Sequence, residues 1–475
     1  MPTPLPDWLA AFRARLGAEV VDTHISWLLL TGDFVWKLKK PLVLPFLDYG
    51  STERRRLCCE EELRLNRRFA PDLYLGVEAV GDSGEWAVKM RRFPEAQRLD
   101  HVCARGELGL AQLGELARVV HAFQASAAVA GPDTPFGEAD EVLAQAVDNF
   151  TELFTLMPAA APRLAALAAW TRDAFARIRP HLRRRKASGR VRECHGDLHL
   201  GNLVLVAGRV TPFDCIEFSD RLRWIDVASE IAFTFVDLLD HRRADLAGWL
   251  LNEWLTESGD FDAMTVLRFY AVYRAMVRAK VAALGGEPDR AEDYLRLAES
   301  LAAPPVPRLT ITFGLSGSGK TTASGALLRA DPRAATLRLR SDVERKRLFG
   351  LSALADSRAT TDANLYTADA NRRTYAQLAD TAAALLTAGW SVIVDAAFLK
   401  RSERDAFRAL ATQQGAGFAI LACSAPADEL RQRLQARQGD ASEATVDVLD
   451  KQFGWVEELG ADEIRWVVPP PAPPG

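Results

Sequence analysis

The chain has 475 residues but only six cysteines, five methionines and seven histidines. The cysteines are Cys58, Cys59, Cys103, Cys194, Cys215 and Cys423; two are adjacent and none has CxxC spacing. This argues against a disulfide framework or a cysteine zinc site, and predicts a reducing, cytoplasmic setting. No apolar run approaches the ~18 residues of a membrane span. The opening MPTPLPDWLAAFRARLG has no basic-then-apolar export signal. A soluble protein with no membrane partner is expected. Charge of one sign is missing as well: 59 Lys and Arg face 63 Asp and Glu, a net charge of −4. Neither side of Pro305 carries a marked basic excess, so bulk charge does not imply a nucleic-acid partner. There is no internal repeat. What is present is ordinary globular composition, 48% hydrophobic and 26% charged, in a chain long enough for about three compact units.

The texture changes along the chain. Residues 1–100 read as a small mixed α/β lobe. HISWLLLTGDFVWKLKK is two β-rich runs around Thr31-Gly32-Asp33, and LYLGVEAV and EWAVKMRRF flank a second hairpin turn, GDSG. Between them, Leu57 to Leu65 have helical spacing. Residues 101–303 are mainly Ala/Leu/Arg-rich helix, interrupted at 190–218 by a strand–loop–strand insert. Pro-rich residues 304–308 predict a linker. Residues 309–468 alternate strand and helix through LTITF, ATLRLRS, SVIVDA, FAILAC and IRWVV, the pattern of a parallel sheet covered by helices. Residues 469–475 read as a disordered tail.

Two stretches carry chemistry. In HGDLHLGNLVL, starting at His195, Asp197 precedes Asn202 by five residues, and FDCIEF supplies Asp214 beyond a short hairpin. Phosphoryl transfer needs a carboxylate near the acceptor hydroxyl and hard oxygen ligands that hold Mg²⁺ against nucleotide phosphates. Asp197, Asn202 and Asp214 are of those types, in the order used by protein kinases. His195 is expected to brace the loop. Residues 194–233 resemble the aminoglycoside and choline phosphotransferase family, with weaker likeness over about 20–300. The resemblance implies a bilobal, protein-kinase-like α+β fold. It also implies Asp197 as catalytic base, Asn202 and Asp214 as Mg²⁺ ligands and Asp226 as a structural carboxylate. Lys37 in FVWKLKK is the candidate phosphate-binding lysine, with Glu60 to Glu62 as possible partners. Lys89 and Met90 to Phe93 are expected on the strand entering the hinge. No GxGxxG loop is present.

The second stretch, GLSGSGKTT from Gly314 to Thr322, follows a strand and precedes a helix. It fits the P-loop of an α/β NTPase. Gly314, Ser316, Gly317, Ser318 and Gly319 would wrap phosphates with backbone N–H groups, with Lys320 on the phosphates, Thr321 on Mg²⁺ and Thr322 alongside. SDVER places Asp342 at a strand end, with Arg345 on the same helical face. VIVDAAF places Asp395 at another, where it could hold Mg²⁺ through water. Arg433 and Arg437 lie four apart on one predicted helix face and could close over a triphosphate. With Arg404, for which no role is assigned, these residues resemble the P-loop kinase group of polynucleotide kinases, gluconate kinases and zeta-type toxins. The resemblance implies Asp342 as general base, Arg345 as an acceptor contact and Arg433 and Arg437 as lid residues.

The expectation is a multidomain protein with two ATP-dependent (or GTP-dependent) kinase units using Mg²⁺. Each would phosphorylate a hydroxyl of a small molecule or a polynucleotide 5′ end. Two alternatives stay open: an active P-loop kinase beside a scaffold-like first half, and a nucleotide-gated regulatory module. Acceptor and oligomeric state are not readable from the sequence.

Overall fold

The computed structural model describes residues 5–44, 47–353, 367–436 and 445–471. Contacts divide the chain into two compact units: Met1–Thr151 with Phe175–Asp237, and Glu152–Ala174 with Leu238–Gly475. Among the described residues no single helix is long and apolar enough to cross a membrane.

The first unit opens with a five-stranded antiparallel sheet in the spatial order Glu19–Asp22, Ser26–Leu30, Phe34–Lys39, Trp86–Arg91, Tyr74–Ala79. Both expected hairpins are there. Glu19–Asp22, an additional edge strand, lacked a sequence signal because its four residues are largely exposed. Leu29, Trp36 and Leu38 pack with Leu9 and Phe12 of the first helix. Val88, Met90 and Tyr74 pack with Cys59 of helix Thr52–Asn66. Ser51 caps that helix by accepting the Arg54 N–H at 3.2 Å, which fixes its start and so the height at which Glu62 meets the sheet. The helical lobe that follows carries two antiparallel ribbons: Val191–Glu193 with Trp224–Asp226, and Leu203–Val206 with Arg209–Pro212. They present the segment 194–202 and the residues after Pro212.

The second unit holds a five-stranded parallel sheet, ordered Thr336–Arg340, Ser391–Asp395, Arg308–Phe313, Gly417–Ala422, Val467–Val468. Leu309, Ile311, Leu337, Leu339, Val392, Val394, Ile420 and Leu421 are all buried, as a sheet covered on both faces requires. Only Val467–Val468 of the expected IRWVV strand pairs; Ile464–Trp466 is a 3₁₀ turn.

Helix Ala244–Ser258, which precedes residues 304–308, falls in the same compact unit as the P-loop sheet and packs on its edge strand Thr336–Arg340. Asn252 of helix Ala244–Ser258 accepts the Arg338 N–H at 2.6 Å and donates to the Thr336 carbonyl at 3.4 Å, capping the backbone of the edge strand. Trp390, 2% exposed, donates its indole N–H to the Met264 carbonyl at 2.9 Å beneath Arg268. These partners are 86 and 126 residues apart, out of reach of any local pattern.

At the other edge, Arg404 and Glu463 form a fully buried bidentate pair at 2.7 and 2.9 Å. Arg404 also donates to the carbonyls of Phe398, Glu457 and Glu458. This gives Arg404 a structural role: it fastens the segment after residue 456 to the sheet. Arg404→Ala strands a buried carboxylate and is expected to cost about 3–5 kcal/mol, read as a lowered denaturation midpoint. An unchanged midpoint would show that the pair carries no such weight.

Candidate functional site

In the first unit, Lys37 donates to Glu62 at 2.9 Å and to Asp214. Lys39, two residues along the same strand face, donates to Glu62 and Glu217, and the Tyr49 hydroxyl donates to Glu217. Of the three glutamates considered, Glu62 is thus the partner; Glu60 pairs with Arg56 at 3.2 Å, and Glu61 with Arg64 and Arg223. Burial works against the charge on Lys37, but Asp214 and then Glu62 outweigh it and hold its pKa well above the ordinary value. Burial likewise opposes Lys39, and Glu217 and Glu62 raise it. Burial also works against ionisation of Asp214; the Lys37 ammonium overrides this and lowers its pKa. The Asp214 side chain keeps 41% exposure, so one face remains open to a ligand.

The catalytic-loop residues reach the same place through the backbone. His195 is fully buried; its Nε2 bonds the Phe213 carbonyl at 2.8 Å, and its Nδ1 faces the Asp197 N–H at 3.3 Å. Phe213 N–H donates to the Asn202 carbonyl at 3.0 Å, and Asn202 Nδ2 donates to Asp197 Oδ2 at 3.1 Å. Asp197, Asn202 and Asp214 are thereby brought together, with Asn202 Oδ1 and two carboxylates as the hard-oxygen set. Asp214 holds φ 65°, an unusual value for a non-glycine, and its N–H donates to the Tyr74 hydroxyl at 2.9 Å. The loop is held from behind as well. Glu230 accepts the His195 N–H and Asp237 the Leu200 N–H, both at 2.8 Å. Asp226 lies in a buried bidentate pair with Arg185. Lys89 pairs with Glu78 at 2.9 Å on the strand Trp86–Arg91.

In the second unit the P-loop leaves Arg308–Phe313, the strand flanked on both sides by strands later in sequence, which is where open α/β sheets bind ligands. Gly314, at φ 148°, passes so close to the Cys423 carbonyl that a Cβ would collide with it; at Gly317, φ 84°, a Cβ would lie 2.9 Å from the Leu430 carbonyl. The loop is therefore a cradle only glycine can form at these points. Helix Lys320–Arg329 starts at its rim and presents its positive end. Lys320 Nζ spans the loop, donating to the carbonyls of Gly314 at 2.9 Å and Leu315 at 2.8 Å. The Ser318 hydroxyl is buried with no hydrogen-bond partner among the described residues, a polar atom available to a phosphate oxygen.

Around this loop lies a cleft of about 1950 Å³ lined by Ser316 through Thr322, Asp342, Arg345, Asp395 and Arg433. Asp395, 5% exposed, accepts the Ser324 hydroxyl at 3.0 Å beside the P-loop helix. Arg345 donates to Asn371 Oδ1 at 3.0 Å, so a neighbour on helix Ala368–Thr387 fixes its head group. Arg433 donates to the Gly317 carbonyl at 3.2 Å and pairs with Glu429 at 2.5 Å. Arg437 lies outside the described residues. Among the described residues no three His, Cys, Asp or Glu side chains cluster as a metal cage. The oxygen donors Thr321 and Asp395 suit Mg²⁺, which is commonly bound through one or two protein oxygens together with phosphates.

Sequence reasoning missed Lys39, Tyr49, Glu217 and Gln452. The first had a signal: two lysines two apart on a strand share a face. Gln452, whose side chain accepts the Ser316 N–H, had none.

The fold and sites define an α+β unit that carries the Lys37–Glu62 pair and the Asp197–Asn202–Asp214 set, followed by an α/β unit built around a P-loop. A family model described as an AAA domain matches residues 309–459. Uncharacterized proteins of Mycobacterium bovis and Mycobacterium tuberculosis are each 31% identical over 451 residues, 90% of this chain and 88% of the relative. The chain belongs to the family of these mycobacterial proteins. Among solved structures it is similar to a GDP complex of aminoglycoside 2′-phosphotransferase-IIIa, at 12% identity, TM-score 0.41, covering 62% of this chain and 99% of that one. A choline/ethanolamine kinase family protein from Mesorhizobium loti matches at 13%, TM-score 0.40, over 63% and 96%. A sugar kinase from Janibacter matches at 23%, TM-score 0.26, over 34% and 84%. The fold assignment rests on the chain's own topology, not on these scores.

Burial holds the His195 pKa down to about 4 from the ordinary 6.5, against the pull of the Phe213 carbonyl and nearby carboxylates. The folded loop therefore needs neutral imidazole. Its contribution to stability is complete above about pH 6.5 and is lost as pH falls toward 4, by up to roughly 3 kcal/mol. Denaturation of wild type and His195→Gln across this range should give a shallower pH dependence for the variant. Parallel curves would contradict the assignment.

Proposed function

We propose that the chain is an Mg²⁺- and ATP-dependent phosphotransferase with two separate phosphoryl-transfer sites, each acting on a hydroxyl acceptor. The observation that supports this reading is that each unit brings together a different group of residues of the types that handle phosphate. In the first, Lys37 orients the nucleotide phosphates and is itself held by Glu62. Asn202 and Asp214 are the residues that would hold Mg²⁺, whose chemistry is to neutralise phosphate charge. Asp197, held by the Asn202 amide, accepts the proton of the acceptor hydroxyl. In the second, the P-loop amides and Lys320 bind the triphosphate, with Thr321 and Asp395 as the metal-side oxygens. Asp342 takes the acceptor proton, and Arg345 and Arg433 bind acceptor and phosphate charge.

The intact Lys37–Glu62 pair and Asp197–Asn202–Asp214 set favour an active first unit over a scaffold, even without a GxGxxG loop. The acceptor is expected to be a small molecule; a polynucleotide 5′ end remains the competing substrate for the P-loop unit. The test is transfer of labelled phosphate from ATP to sugars, nucleosides, aminoglycosides and oligonucleotides. Asp197→Asn and Asp342→Asn should each remove one activity, by about 10²–10⁴-fold, and leave the other. One activity lost only in Asp342→Asn would make the first unit a scaffold. Tight ATP binding with no transfer to any acceptor would favour the regulatory module.

A further inference from the structure

We propose that Gln452 is a positioning residue of the P-loop, and that helix Val446–Trp455 is thereby part of the nucleotide site. The proposal rests on the reading that Gly314–Thr322 binds a nucleoside triphosphate. Gln452 is 8% exposed, and its Oε1 accepts the Ser316 backbone N–H at 2.8 Å across 136 residues of sequence. The Ser316 N–H lies on the half-buried wall of the cleft, where a fixed partner sets its direction. This one donates to a protein side chain, so the Ser316 peptide is anchored in one orientation. The peptides of Gly317 and Ser318 follow directly from it.

The grip on this part of the loop is continuous. Leu315 and Val446 both pack against the cluster Leu430, Leu434 and Leu449, and Arg433 donates to the Gly317 carbonyl at 3.2 Å. Gln452 is the one polar member that reaches the loop from helix Val446–Trp455 among these contacts. An amide suits the task because it accepts a hydrogen bond without placing negative charge beside a triphosphate; a carboxylate at the same position would repel it. The same helix turns Val448, Lys451 and Trp455 into the cleft. Helix Val446–Trp455 thus touches the P-loop and lines the same cleft.

The test is nucleotide affinity, measured with a fluorescent ATP analogue on the full chain carrying Lys37→Met, so that the P-loop site alone reports. Gln452→Met keeps volume and removes the acceptor; it should weaken binding about tenfold, which is ~1.4 kcal/mol. Gln452→Glu keeps an accepting oxygen and adds charge. It should bind weakly at pH 8 and regain affinity as pH falls toward 5, because burial and the neighbouring phosphate charge favour the protonated carboxyl more than in a free glutamate, while Gln452→Met does not recover. A general packing defect would weaken both variants equally at both pH values, and that result would overturn the proposal. So would parent-like affinity, within twofold, in Gln452→Met. If the parent itself binds no nucleotide, the P-loop reading fails and takes the proposal with it; binding by the parent separates the two cases.

Discussion

A buried carboxylate shared by two buried ammonium groups organises the first unit. Glu62 alone would be too costly to keep ionised in the interior, and either lysine alone would be drawn toward its neutral form. Burial raises the Glu62 pKa, and Lys37 and Lys39 pull it back toward ionisation. The two lysines in turn draw in Asp214 and Glu217, so that strand, helix and the segment after the catalytic loop meet at one point. Buried ion pairs contribute little net stability compared with apolar packing, yet breaking one is expensive. Their effect here is to fix relative position: Lys37 holds Asp214 in place with part of its carboxylate left exposed.

The second unit solves the same problem with different materials. Its phosphate-binding charge is mostly backbone: N–H groups turned inward by glycines and the positive end of a helix. That arrangement needs close approach of main chain to main chain, seen where Gly314 meets Cys423 and Gly317 meets Leu430. On the loop's outer side Gln452 accepts the Ser316 N–H and Arg433 donates to the Gly317 carbonyl. Under the proposed function, side-chain ions in one unit and peptide dipoles in the other would serve a common end, a preorganised cation-like site for phosphate.

Local signals were legible in the sequence and long-range ones were not. The glycine spacing of 314–319, the Asp197–Asn202 interval and the hairpin turns are set within a few residues and appear where expected. Lys37 was identifiable because it precedes a helix bearing three consecutive glutamates; which glutamate it meets depends on helix phase, fixed by the Ser51 cap. The placement of helices 244–302 depends on Asn252 and Trp390 meeting partners over 80 residues away, and a Pro-rich stretch is no guide to that. Arg404, given no role from the sequence, is a buried structural cation.

The central claim is that one chain holds two independent nucleotide sites. Calorimetric titration of the full chain with Mg²⁺ and a non-hydrolysable ATP analogue measures this directly. Two sites per chain are predicted, one lost in Lys37→Met and the other in Lys320→Ala. A stoichiometry of one, abolished by Lys320→Ala and untouched by Lys37→Met, would contradict the account.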